Sequence, residues 1–233
     1  MSIDIYSGQN PLEIPLYTYA DASRYLGIAP RTVAYWARGG VVTGSEGERK
    51  RYEPVLATPG ERGLSFLDLV ELHALKALRQ VHNVRLENVR RALRFAEDEL
   101  ALDERLLLND TLSAHGGDVF IDHLGDIVNL SKSGQIALRD VIERSLQRIE
   151  RDENLVPVKL YPDYRGVEDI QDEKPVVIDP RVSFGKPTVT GTGIRTGVIV
   201  NRIDAGESVD EVALDYGLSP EVVRSVILYE AAA

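Results

Sequence analysis

The sequence predicts an α+β protein that is mainly helical: an N-terminal winged helix-turn-helix, a mixed middle region and a small C-terminal helix-turn-helix-like domain. The stretches GIAPRTVAYWARGG (27–40) and GLSPEVVRSVILYE (217–230) both begin with the spacing GxxP, followed three residues later by valine. Short β-prone segments lie between the helical ones. With 43% hydrophobic and 27% charged residues, the composition is that of an ordinary globular protein. The predicted domains are residues 1–108, 109–173 and 174–233.

The first GxxP copy predicts a helix-turn-helix. Residues 18–26 form the first helix, and Gly27 forms the tight turn, because glycine adopts a positive φ without strain. Pro30 stands in the first turn of the second helix, where proline is best tolerated. Val33 and Trp36 share the face that we expect to be buried. Such a second helix can enter the major groove of DNA; the side chains that we expect to contact DNA from it are Arg31, Thr32, Tyr35 and Arg38.

A hairpin and two longer helices are predicted next. Residues 41–56 place a glycine-containing turn beside a basic run, which favours a small β-hairpin wing. Ser65 and Asp68 have the spacing of a capping box at the start of a helix, and the helix after it has an apolar seam. The predicted DNA contacts of the wing are Arg49, Lys50 and Arg51, and the seam residues Leu86, Val89 and Leu93 are candidates for a dimer or partner interface.

The middle region is predicted to be mixed. We interpret residues 118–130, DVFIDHLGDIVNL, as a hairpin that turns at Gly125, and residues 136–152 as an amphipathic helix. Residues 155–162 predict a strand whose flanking prolines are typical of a sheet edge. The polar and acidic stretch 164–174 is the best candidate for a linker.

The C-terminal region is predicted to contain short strands and then three helices. The last of these carries apolar side chains nearly all round, whereas a helix that reads base edges needs polar groups on its surface. We therefore interpret the second GxxP copy as a packing or dimerisation module, with DNA binding by this copy left open. Its candidate interface residues are Val222, Val226 and Tyr229.

The net charge of −10 is unusual for a protein that binds nucleic acid. The charge is distributed unevenly, however. Residues 17–52 hold six basic and three acidic side chains, whereas residues 150–173 hold three basic and eight acidic ones. Because a local basic face attracts phosphate, the overall sign does not exclude DNA as a partner.

Other classes of function have little support in the sequence. The chain contains no cysteine, which excludes disulfides and thiolate metal sites. We see no signal peptide and no apolar run near the ~18 residues of a membrane span, so we expect a cytoplasmic protein without membrane contact. Neither TGTG (190–193) nor GKPT (185–188) has the context of a phosphate-binding loop. We also find no pairing of a nucleophile with a base, and we expect no enzyme activity, cofactor or metal site.

The N-terminal part resembles a known family. The segments TYADASRYLGIAPRTVAYWARGGVV, RKRY and LSFLDLVELHALKALRQ are similar to the winged-helix head of MerR-type regulators, over about residues 17–95. The resemblance implies that Thr32, Tyr35, Trp36 and Arg38 fall on the recognition helix, and that Arg51 and Tyr52 fall in the wing. The family often has an arginine where this chain has Ala34, so sequence preference must come from neighbours of that position.

The C-terminal part resembles a different family. The segments IDPRVSFGKPTVTGTGIRT and AGESVDEVALDYGLSPEVVRSVILYE are similar to the small antitoxin domain of VapB-like proteins, over about residues 176–231. The two resemblances together imply an antitoxin that represses its own operon by binding the operator upstream of it. Its other implied partner is a PIN-domain ribonuclease toxin. Winged heads of this size bind palindromes as two-fold dimers, so we expect a homodimer. The alternative is a stand-alone MerR-like regulator with an effector-binding middle domain.

Overall fold

The computed structural model describes residues 6–43, 47–56, 63–80, 84–100, 105, 108, 115–163 and 174–232. It confirms the predicted fold class: α+β and mainly helical, with an N-terminal helix-turn-helix and a C-terminal helical region. The helices are α1 (Tyr19–Leu26), α2 (Pro30–Arg38), α3 (Phe66–Gln80), α4 (Leu86–Leu100), α5 (His115–Ile127), α6 (Lys132–Leu146), α7 (Thr196–Asp204), α8 (Val209–Tyr216) and α9 (Pro220–Ala232). The strands are β1 (Gly40–Thr43), β2 (Arg49–Tyr52), β3 (Ile149–Arg151), β4 (Pro157–Leu160), β5 (Val176–Val177) and β6 (Thr188–Val189).

Local hydrogen bonding explains why the first GxxP copy bends where it does. Thr18 and Asp21 form a reciprocal capping box that starts α1. The helix ends at Gly27, whose φ of 59° and ψ of 40° are left-handed, as predicted. Pro30 then begins α2, and Val33 is fully buried below it. The turn is therefore fixed by its own residues as well as by packing.

The second GxxP copy repeats this local geometry. Ser208 and Glu211 form a capping box at the start of α8, which has eight residues, as α1 does. Gly217 ends α8 with a φ of 63° and a ψ of 34°, and Pro220 begins α9. The two copies are thus two helix-turn-helix units of the same local construction at opposite ends of the chain.

In the middle region the predicted hairpin is wrong. Residues 118–127 continue a helix, α5, straight through Gly125. A Cβ atom at Gly125 would lie 2.9 Å from Cγ of Gln135, which belongs to α6. The glycine therefore permits two helices to approach closely instead of turning the chain. The predicted helix over 136–152 is observed as α6, but it ends at Leu146.

Beyond α6 the chain forms a short antiparallel pair. Ile149 in β3 pairs with Leu160 in β4, and Glu150 pairs with Lys159, with 2.7 Å between carboxylate and ammonium. The strand predicted over 155–162 is confirmed as β4. Leu160 also bridges to Ile178, which follows β5, so this pair adjoins the C-terminal hairpin β5–β6. Residues 164–173 of the predicted linker lie outside the described residues.

One hydrophobic core joins the first two predicted domains. It contains Trp36 of the helix-turn-helix and Leu72 of α3, together with Phe120 of α5 and Leu138 of α6, all at most 5% exposed. The main core therefore includes residues on both sides of the predicted boundary at residue 108. A second core lies within residues 176–229 and includes Val212, Val223 and Val226. In the part of the chain that the structure describes, no helix combines the length and apolarity needed to cross a bilayer.

Candidate nucleic-acid interface

The candidate recognition helix α2 buries one face and exposes the other. Val33, Trp36 and Ala37 are buried in the core. Because these residues recur every three or four positions, Arg31 and Arg38 are turned to solvent, and both are exposed. Of the other predicted DNA contacts on this helix, Thr32 and Tyr35 are half-buried.

Arg38 is held in place by α1. Its Nε donates a hydrogen bond of 2.9 Å to the hydroxyl oxygen of Tyr19. Its guanidinium carbon lies 4.4 Å from the centre of the Tyr19 ring, within the range of a cation–π contact. A side chain held by two contacts loses less conformational freedom when it binds a phosphate. Arg38 is therefore preorganised, whereas no comparable contact holds Arg31 among the described residues.

The three wing cations occupy different environments. β1 and β2 pair antiparallel, with Val42 opposite Lys50 and Thr43 opposite Arg49. Nζ of Lys50 lies 3.1 Å from Oε1 of Glu87 on α4, and the hydrogen bond to that carboxylate raises the pKa of Lys50. Within the described residues Arg49 has no ion pair and is exposed. Nε of Arg51 is 3.9 Å from Oε1 of Glu53, and the Arg51 side chain is 80% exposed. A contact this long and this exposed to solvent does not restrain the side chain.

The wing returns to the recognition helix through a close backbone contact. Gly39, which ends α2, has a φ of 68° and a ψ of −156°, a conformation that requires glycine. A Cβ atom at this position would collide with the backbone of Tyr52 to Pro54. The amide of Val55 donates a hydrogen bond of 2.8 Å to the carbonyl of Trp36. The wing therefore starts and ends at the C-terminal end of α2.

A cluster of two tyrosines and one arginine lies between α2, the wing and α4. The rings of Tyr35 and Tyr52 meet edge to face, with centroids 6.1 Å apart at 71°. The guanidinium carbon of Arg90 is 5.4 Å from each ring centroid. Nη2 of Arg90 also donates a hydrogen bond of 2.7 Å to the carbonyl of Glu53. We refer to Tyr35, Tyr52 and Arg90 as the tyrosine–arginine cluster.

The predicted dimer or partner interface needs correction. Val89, Val226 and Tyr229 are at most 1% exposed and pack inside this chain. Side chains that are already buried cannot also form the surface met by a partner. Of the six predicted interface residues, Leu86, Leu93 and Val222 are half-buried and keep some surface.

Three residues of this site were missed by the sequence analysis: Tyr19, Glu87 and Arg90. Their roles depend on which side chains meet across elements that are far apart in sequence. Arg90 and Arg91 are adjacent on α4, yet Arg90 is 8% exposed and Arg91 is an exposed residue. The available signal was that Arg90 directly follows the seam residue Val89, which moves it towards the buried side of the helix.

No group of three or more potential metal ligands converges among the residues that the structure describes. His123, the histidine nearest to several acids in sequence, stacks on Phe95 with centroids 3.8 Å apart at 18°. Asp122 lies 3.4 Å from Arg139. These side chains link α5 to its neighbouring helices.

The geometry defines a class: a helix-turn-helix protein with a β-hairpin wing and a C-terminal helical region. Two family models match parts of the chain. Residues 15–93 match a family described as "Putative DNA-binding HTH domain", which spans the helix-turn-helix, the wing and the half of α4 that carries Arg90. Residues 176–229 match a family described as "Protein of unknown function (DUF433)".

Particular relatives match along nearly the whole chain. "Putative antitoxin VapB45" of Mycobacterium tuberculosis is 28% identical, and the match covers 92% of this chain and 93% of that protein. "Uncharacterized protein Rv2308" of the same organism is also 28% identical, over 94% of this chain and 91% of that protein. The crystal structure of Rv2018 from Mycobacterium tuberculosis superposes with a TM-score of 0.66 at 24% identity, covering 93% of this chain and 99% of that one. The last comparison supports the fold.

Proposed function

We propose that this protein is a non-enzymatic, DNA-binding antitoxin of a type II toxin–antitoxin pair. In this proposal it binds an operator upstream of its own operon and neutralises a PIN-domain ribonuclease toxin. The observation that carries the DNA-binding part is the exposed cationic face that α2 and the wing form together. The antitoxin part is supported by the similarity to "Putative antitoxin VapB45", because that match extends over 92% of this chain.

For DNA binding, α2 enters the major groove and β2 lies along the phosphates. Arg31 reads base edges from the first turn of α2, where recognition helices contact bases. Thr32 and Tyr35 line the same face, half-buried. Arg38 and the wing cations Arg49, Lys50 and Arg51 contact phosphates, which supply affinity without sequence information.

The second GxxP copy has a different role in this proposal. On the exposed side of α9 stand Glu221, Arg224 and Leu228, and Arg224 lies 3.5 Å from Glu221. An acid and an apolar residue on this face do not favour phosphate. The packing of Val223 and Val226 inside the C-terminal core supports a structural role for this helix.

For the toxin, the C-terminal region offers three cations that have no ion pair with the described residues. The active site of a metal-dependent ribonuclease holds carboxylates, which an arginine or lysine can pair with. Arg202 is already bound by Glu207 and Asp215, and Arg224 lies close to Glu221. Within the described residues no ion pair involves the exposed side chains of Arg181, Lys186 or Arg195.

The first test is co-expression of the full chain with a PIN-domain protein encoded beside its gene. Relief of growth arrest and a complex that survives sizing support the antitoxin assignment. Alanine variants of Arg181, Lys186 and Arg195 should weaken relief, whereas Arg224→Ala serves as a matched control because that charge is already paired. Growth arrest that persists with the wild-type chain rules out the antitoxin function.

The alternative, a regulator with an effector-binding middle domain, has less support. A cavity lies between α3, α5 and α6, lined by apolar side chains such as Leu78 and Phe120 and by Ser145. Its volume is about 10 Å³. That is the space for about one water molecule. It does not fit an effector of metabolite size.

A further inference from the structure

Arg90 is a buried cation whose charge is not met by an acid in the described part of the chain. The side chain is 8% exposed, and its Nε has no hydrogen-bond partner among the described residues. Burial of a charge is unfavourable unless other groups compensate for the lost water. Here the compensation comes from the faces of Tyr35 and Tyr52 and from the carbonyl of Glu53. Cation–π contacts strengthen when they are shielded from solvent in this way.

The partners of Arg90 belong to the two parts of the head that would touch DNA. Tyr35 lies on the recognition helix α2, Tyr52 ends the wing strand β2, and Glu53 follows directly. Arg90 itself is carried by α4, which packs on α5 and into the core through Val89. The guanidinium group therefore joins three elements at one point, and α4 provides a fixed base for it.

A guanidinium group suits this position better than an ammonium group. The ring centroids are 6.1 Å apart and each lies 5.4 Å from the guanidinium carbon, so both rings lie to one side of the group while an N–H donates to the carbonyl of Glu53. A lysine has a compact ammonium group on a flexible stem, without the rigid fork that can hold two rings and a carbonyl in one geometry. The cluster thus requires an arginine for its geometry as well as for its charge.

We propose that Arg90 is a positioning residue that fixes the wing relative to the recognition helix, and so determines the sequence selectivity of the head. This inference rests on the proposed DNA binding. Base contacts from α2 carry sequence information only while the wing holds the head in register on the phosphates. Without Arg90 the wing pivots about its base. Contacts with phosphates persist, but the register between base and backbone contacts is lost.

The test compares Arg90→Met and Arg90→Lys with Arg91→Met, which removes the same charge from the surface of the same helix. A DNA site is selected from a random duplex pool with the wild-type full-length chain. Affinity for this site and for a scrambled duplex is then measured over a range of salt. In both Arg90 variants, the ratio of specific to non-specific affinity should fall about tenfold, the scale of one or two lost cation–π contacts. The salt slope should stay unchanged, because Arg90 is not a phosphate ligand.

Two further measurements separate positioning from general damage. In a double-mutant cycle with Tyr52→Leu, the combined variant should lose no more selectivity than the worse single variant, because both act through one cluster. In the free protein, amide hydrogen exchange in β1 and β2 should become faster in Arg90→Met, while exchange in α3 stays slow. If Arg90→Met does not fold, selectivity and wing exchange are compared between the wild-type protein and the variants Arg90→Lys and Tyr52→Leu.

Three outcomes would overturn the inference. One is equal selectivity in Arg90→Met and the wild-type protein. Another is a reduced salt slope with unchanged selectivity, which would make Arg90 a phosphate ligand. The third is wing exchange that is the same in both free proteins. If the wild-type chain selects no DNA sequence, the proposed DNA binding fails, and the exchange measurement alone then decides whether Arg90 positions the wing.

Discussion

The hydroxyl group of Tyr229 in the last helix donates a hydrogen bond of 3.2 Å to the backbone carbonyl of Tyr25, the penultimate residue of α1. The two residues are 204 positions apart. Close by, a Cβ atom at Gly27 would lie 3.6 Å from the carbonyl oxygen of Ala232. The end of the second GxxP copy is therefore packed on the turn of the first.

Replacing Tyr229 by phenylalanine tests how strongly the two copies are joined. The change leaves the ring but removes the donor, so the free energy of unfolding should fall by about 0.5–1.5 kcal/mol. Urea denaturation monitored by circular dichroism measures the difference. A variant as stable as the wild-type protein would mean that packing alone holds α9 on α1.

The wing cations should contribute unequally to DNA affinity. Arg49→Ala should weaken binding to all sequences and lower the salt slope by about one, the effect of one lost phosphate contact. Lys50→Ala should have a smaller effect, because Glu87 already competes for that charge. Glu87→Gln should strengthen binding by releasing Lys50. Titrations at several salt concentrations give the slopes; an unchanged slope in an Arg49→Ala, Lys50→Ala double variant would remove the wing from the interface.

Arg31 should affect selectivity as well as affinity. It is exposed in the first turn of α2, where a guanidinium group can donate two hydrogen bonds to a guanine. Arg31→Ala should therefore cost about 1–3 kcal/mol on the selected site and relax the preference at one base pair. Binding to a panel of single-base variants of the site measures this. A uniform loss across the panel would assign Arg31 to a phosphate instead.

Glu71 should make the protein less stable as the pH rises. The residue is buried in α3, and this burial raises the pKa of its carboxyl group to about 8, with Asp68 raising it further and Arg105 opposing the shift. In the unfolded chain the same group ionises near its ordinary value. Between about pH 4.5 and 8 the folded state therefore holds a proton that the unfolded state has released, and stability falls by up to about 1.4 kcal/mol per pH unit.

Glu71→Gln isolates this contribution, because glutamine stays neutral. The variant and the wild-type protein should have similar stability near about pH 4, and the variant should become the more stable of the two as the pH approaches about 8. Thermal unfolding across this range gives the comparison. Parallel pH profiles for the two proteins would show that Glu71 is ionised in the folded state.

The assembly prediction concerns the free protein. A head that binds a palindrome needs two copies related by two-fold symmetry, with half-sites about 34 Å apart. We expect sedimentation of a dimer of the 25.8 kDa chain, with Leu86, Leu93 and Val222 as the candidate contacts that keep some surface. A monomer at low concentration that binds a single half-site would contradict this.

The sequence predicted the local structure best where short-range rules dominate. The capping box of Ser65 and Asp68 and the left-handed Gly27 follow from residues within a few positions of one another. The same holds for the wing, whose paired strands β1 and β2 are close together in the sequence. Such features need no knowledge of the rest of the fold.

The wrong predictions concern residues whose environment is set by contacts with residues far away in the sequence. Gly125 predicts a turn from the sequence, but it lies inside α5, where the side chain of Gln135 of α6 packs against it. Val226 and Tyr229 are predicted as candidate interface residues, but the C-terminal core and α1 cover them. The position of Arg90 beside the seam residue Val89 indicates burial, but its contacts with Tyr35 and Tyr52 depend on elements far away in the sequence. The environments of these residues are determined by how whole helices pack against one another.

The continuity of the main core has a consequence for the lifetime of the protein. Helices α3 and α5 share that core with the helix-turn-helix, so opening the middle region exposes apolar side chains of the head in the same event. A cellular protease that captures the opened chain would then remove the helix-turn-helix and the C-terminal region, which Tyr229 joins to it, together. Under that scheme neither end persists as a working fragment, and a single half-life governs both.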